Sequence, residues 1–147
     1  MSRFWLSLGA ILAGMSVGMG AFAAHKLDEV FKNKYPATEQ REVAGQSLRT
    51  SYKYLQDFKT GADYQMYHAL ALIFVGLLAQ SRKSRALDIA GWSFLIGIIL
   101  FSGMLYALTL TGQRALGAIV PIGGVAFLVG WTSLALGVMS PKTIVEE

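Results

Sequence analysis

Two histidines, His25 and His68, are the side chains of this chain best suited to proton, metal or ligand chemistry. His68 lies within five residues of Tyr64 and Gln65, and on a helix residues three and four apart share a face. Ser102 and Tyr106 are again four apart, and Arg114 is the lone basic or acidic residue between Asp88 and Lys142. Two histidines without a third ligand or a nearby carboxylate make a poor zinc site. Bis-histidine haem ligation meets the count of ligands and little else. A Ser-His-acid set would have to borrow Asp57 or Asp63 from outside the apolar runs. The chain has no Cys, so thiolate ligands and thiol nucleophiles are excluded. We therefore expect no catalytic residue, no metal and no cofactor. What remains for His25, Tyr64, Gln65, His68, Ser102, Tyr106 and Arg114 is hydrogen bonding, either between helices or to a bound ligand or partner.

The elements that carry these residues are legible from where charge is missing. Four stretches, 4–24, 64–81, 89–111 and 116–139, contain no Asp, Glu, Lys or Arg. Each is near the roughly 20 residues that a helix needs to cross about 30 Å of hydrocarbon. Backbone groups find no water in lipid, so each run must be helical. The expected fold is all-α, a single integral membrane domain with four transmembrane helices. The composition agrees, with 54% hydrophobic and 15% charged residues.

The first run follows Met1-Ser2-Arg3 and ends near Ala21-Phe22-Ala23, which resembles a signal peptide with its cleavage site. Its length and its packing pattern argue for a retained helix. Gly14 and Gly18 form a GxxxG pair on one stripe with Ala21 and His25, and small residues let helix backbones approach closely. Gly103, Pro121, Gly123 and Gly124 are the corresponding packing candidates in the third and fourth spans. These small residues make a homo-oligomer or a membrane-protein partner an expectation. Pro121 stands early enough in its run for a first helical turn, where its missing N–H costs nothing.

Residues 26–63 form the one long polar segment, with Tyr35-Pro36 as a break. From about Thr38, Ala44, Leu48, Tyr52 and Leu55 recur at nearly helical spacing with charge opposite. This predicts an interfacial amphipathic helix running into the second span, either on the membrane surface or packed on the bundle. Alternating spans bring the end of the first, the start of the second, the end of the third and the start of the fourth to one face. The polar candidates are thereby expected to cluster in one leaflet. The net charge of +4 is modest, and Arg82-Lys83-Ser84-Arg85 reads as a membrane-flanking cluster, not a nucleic-acid surface. A raw count of basic residues favours the long segment inside. The density of the cluster in the shortest loop favours both termini in the cytoplasm, which is the orientation we expect.

Four blocks of this chain resemble a known family. They are Gly20-Ala21-Phe22-Ala23-Ala24-His25, Tyr64 to Leu72, Leu100-Phe101-Ser102-Gly103-Met104-Leu105-Tyr106 and Pro121-Ile122-Gly123-Gly124. They are similar to the signatures of the domain-of-unknown-function 423 family, which includes the YgdD-like and transmembrane protein 256-like small membrane proteins. The resemblance spans all four runs in order. It implies a four-helix protein of the plasma (inner) membrane with cytoplasmic termini, and it carries no catalytic assignment. The expected function is non-enzymatic: binding of a lipid-like or small amphiphilic ligand, or of a partner helix, at the outer-leaflet polar cluster. A small transporter or channel subunit is the alternative, and a haem carrier or membrane enzyme is the weaker third.

Overall fold

The computed structural model describes residues 1–139. Four helices are long and apolar enough to cross a membrane: Ser2–Lys34, Thr50–Ser81, Arg85–Thr111 and Arg114–Met139. Two of them are interrupted by wider turns. The first comprises α1 (Ser2–Phe22), a π-helical turn at Ala23–Leu27 and α2 (Asp28–Lys34). The second is the unbroken α3 (Thr50–Ser81). The third is α4 (Arg85–Gly97), a π-helical stretch at Ile98–Gly103 and α5 (Met104–Thr111). The fourth begins as a 3₁₀ turn at Arg114–Ala118 and continues as α6 (Val120–Met139).

The polar segment differs from expectation in its first half. Residues 38–49 are not helical; β1 (Gln40–Val43) and β2 (Gln46–Arg49) pair antiparallel, Val43 opposite Gln46. The two linking residues, Ala44 and Gly45, have φ of 51° and 79°, as the tight hairpin turns that follow strand twist require. The helical spacing of Ala44 and Leu48 was coincidental over so short a run, and Gly45 was the turn signal beside it. The amphipathic helix is real from Thr50 onward. It is the first half of α3 and packs on the bundle, with Tyr54, Leu55, Phe58 and Ala62 buried.

Neighbouring spans run antiparallel. Ser16 Oγ donates to the Ala62 carbonyl (2.7 Å) and Gln65 Nε2 to the Leu12 carbonyl (2.8 Å), which fixes α1 against α3. At the end near the chain's start, aromatic rings fill notches left by glycines. Trp5 lies over Gly91 and Phe94 over Gly130, where an added Cβ would stand 2.6 Å and 2.5 Å from the ring. Toward the hairpin a second apolar cluster joins Leu27, Phe31, Tyr35, Tyr54, Phe58 and Leu108. There the Tyr35 hydroxyl donates to the Thr109 carbonyl (2.7 Å), tying the segment after α2 to α5.

The predicted packing residues divide. Gly123 sits against the backbone of Phe101, where a Cβ would find Phe101 N at 2.5 Å. Gly103 has only an ordinary contact, to the Ile98 carbonyl at 3.8 Å, and Gly14, Gly18 and Gly124 face open space within the chain. Their small size is therefore not used for packing inside one copy. Pro121 is the second residue of α6, in its first turn, so it does not kink the span.

Candidate functional site

His68 projects from the middle of α3 and is 4% exposed. Its Nδ1 lies 2.7 Å from the Tyr64 carbonyl and its Nε2 lies 3.2 Å from Trp131 Nε1. An indole nitrogen only donates, so Nε2 accepts and Nδ1 carries the proton. The ring also stacks on Phe127, with centroids 3.4 Å apart and planes 6° from parallel. Both nitrogens are thus held by the protein, joining α3 to α6.

Gln65, three residues before His68, points to another side of α3. Its Nε2 donates to the Leu12 carbonyl and its Oε1 accepts from the Tyr106 hydroxyl at 3.0 Å. One amide therefore connects α1, α3 and α5. Ser102 is fully buried in the π-helical stretch, with its Oγ unpartnered and its backbone carbonyl facing Gly61 of α3. Tyr64 is partly exposed and stacks on Phe101 at 4.6 Å.

The two remaining candidates stand apart. The α1–α3 pairing puts His25 level with Lys53, so at 1.5 Å per residue it lies about 20 Å from His68 along the bundle. It is exposed on the first π-helical turn. That separation, and the occupied nitrogens of His68, remove bis-histidine ligation. Arg114 reaches from the third connection to Glu39 (3.5 Å), before the hairpin; both side chains are exposed, so the pair adds little stability. Among the described residues no three His, Asp or Glu side chains are grouped to hold a metal.

The expected single cluster is therefore resolved into two membrane-facing grooves on different flanks of α3. One holds Gln65 and Tyr106 with Leu12, Met15, Met19 and Gly103, and encloses about 330 Å³. The other runs between α3 and α6 and is larger, about 680 Å³. Tyr64, Tyr67, His68, Phe101, Phe127 and Trp131 give it an aromatic floor, with Pro121, Gly124, Val125 and Leu128 along its α6 edge. No Asp, Glu, Lys or Arg lines it. Sequence reasoning missed Phe127 and Trp131 as partners of His68; an indole in a span needs an acceptor, and that need was the available signal. It also missed Ser16, whose hydroxyl bridges α1 and α3.

Four antiparallel apolar spans joined by side-chain hydrogen bonds of Ser16, Gln65, His68 and Tyr106 define a small helical membrane protein. Residues 19–124 match the family model described as protein of unknown function (DUF423), and the chain belongs to that family. It is 39% identical to a UPF0382 membrane protein of Staphylococcus epidermidis, over 93% of this chain and 96% of that one. It is 41% identical to the UPF0382 membrane protein YwdK of Bacillus subtilis, over 91% and 94%. A UPF0382 membrane protein of Haemophilus influenzae is 37% identical over 98% of this chain and its own whole length. No solved structure matches the chain.

Proposed function

We propose that this membrane protein is a non-enzymatic binding module that holds the apolar part of a lipid-like or small amphiphilic molecule in the groove between α3 and α6. The observation that carries the reading is the groove itself. Its 680 Å³ falls in the range of small-molecule sites, roughly 300–1,000 Å³. Its wall is aromatic, and its one strongly polar side chain, His68, already has partners for both ring nitrogens. Such a surface gains by covering hydrocarbon and offers little to a charged solute. A transport pathway for ions would call for a charged group in the spans; no Asp, Glu, Lys or Arg lines the groove, and its His68 is held by Tyr64 and Trp131.

Gly124 gives the test. A Cβ there meets nothing within 4 Å, so a large side chain fills the groove without displacing its wall. Organic extracts of the parent and of Gly124→Trp, each purified in mild detergent, are compared by mass spectrometry. A component enriched in the parent and lost in the variant supports the reading; identical extracts would oppose it.

A partner helix is the second reading, favoured by the outward face of α1. Gly14 and Gly18 are exposed and unpacked, as a face kept for close approach by another helix would be. The setting we propose is the plasma membrane, with both ends of the bundle's chain in the cytoplasm and the β-hairpin outside, on the strength of the Arg82–Arg85 cluster.

A further inference from the structure

The basic cluster that marks one membrane face does more than flank helices. It lines a cavity of about 430 Å³, enclosed by Met1 and Ser2, Ala79 at the end of α3, residues 82–85 of the connecting loop, and Leu87 and Asp88 of α4. Arg82 is committed to the scaffold, since its guanidinium donates to the Val138 carbonyl (2.5 Å) near the end of α6. Lys83 and Arg85 have no ion pair with another side chain among the described residues. Three cations and one carboxylate leave the cavity net positive. The start of α4 adds to this, because no side chain caps its first amides.

Directly along the seam between α1 and α4, one turn from Asp88, the surface changes character. Phe4 and Trp92 are exposed there, with ring centroids 6.2 Å apart, and both lie beside the buried Trp5. A cationic cavity above an exposed aromatic seam matches a molecule with a phosphate at one end and hydrocarbon at the other. We propose that this cavity binds the phosphate of a phospholipid headgroup through Lys83 and Arg85, with the acyl chains lying along Phe4 and Trp92. The site is separate from the α3–α6 groove, and it stands or falls independently of the function proposed for that groove.

The experiment uses the full chain in nanodiscs of phosphatidylcholine containing a minor fraction of phosphatidylglycerol. Native mass spectrometry counts the phosphatidylglycerol retained on release. The parent is expected to keep one molecule per chain, and Lys83→Gln/Arg85→Gln to keep at least tenfold less. Arg3→Gln, which removes a charge from the same end but not from the cavity, is expected to behave as the parent. Equal retention by parent and double variant, or equal loss in Arg3→Gln, would overturn the site as a defined one. Inorganic phosphate separates the two sources of the group: if it displaces the lipid at millimolar concentration, the cavity recognises phosphate alone and the acyl contacts are refuted.

Discussion

His68 shows what one side chain can join. Its imidazole accepts from the Trp131 indole, donates to the Tyr64 carbonyl and stacks on Phe127, all within 4% residual exposure. Replacing it with Leu leaves the indole N–H without a partner in the apolar span. The loss should be about 1–3 kcal/mol. His25→Leu removes an exposed ring from the far end of the bundle and should stay within about 0.5 kcal/mol. Thermal unfolding in detergent of the two variants checks this, and equal midpoints would contradict the assignment. The sequence marked His68, Gln65 and Tyr106 because a polar group in an apolar run has to be satisfied somewhere. It did not say by what, since Leu12 and Trp131 are 53 and 63 residues away from their partners. Grouping His25 with them was a consequence of ending the first span near Ala24, which put His25 in the same leaflet as the others. The first span instead continues as helix through Lys34, carrying His25 out toward the hairpin.

At the scale of elements, glycines do two different jobs, and their motif does not separate them. Gly91, in no GxxxG pair, is the notch that admits Trp5, whereas a Cβ added at Gly14 or Gly18 would meet nothing within 4 Å. Gly91→Ala should therefore destabilise the fold by about 1–3 kcal/mol through overpacking. Gly14→Leu/Gly18→Leu should leave the unfolding midpoint nearly unchanged while reducing the dimer captured by chemical cross-linking in membranes. An unchanged dimer band would set aside the second-helix reading of that face. The spans themselves were readable because absence of charge over some twenty residues has one physical solution. The hairpin at residues 40–49 was not readable from spacing alone. Four apolar positions over a dozen residues satisfy a helical period by chance, and the left-handed Ala44-Gly45 turn depends on only two residues. The π-helical stretches that contain His25 and Ser102 leave no pattern in hydropathy at all.

For the whole molecule, an even number of spans puts Met1 and the end of α6 on one side and the hairpin on the other. In the orientation we propose from the Arg82–Arg85 cluster, the first of these sides faces the cytoplasm. Ser47 is exposed on β2 of the hairpin, so Ser47→Cys should react with an impermeant maleimide in intact cells. Labelling only after lysis would invert the topology and move the groove to the inner half of the bilayer. In either orientation the polar groups of α3 are used mainly to join helices, and the larger groove they leave beside α3 is the aromatic one.

That groove is the central claim, and native mass spectrometry of the intact protein in mild detergent tests it most directly. Measured in the Lys83→Gln/Arg85→Gln background, so that lipid in the cationic cavity is not counted, the chain should carry one adduct of defined mass. The adduct should persist in His25→Ala, which lies outside the groove, and disappear in Gly124→Trp, which fills it, with both variants folded. A bare chain in that background, or an adduct that survives there in folded Gly124→Trp, would contradict a ligand site between α3 and α6.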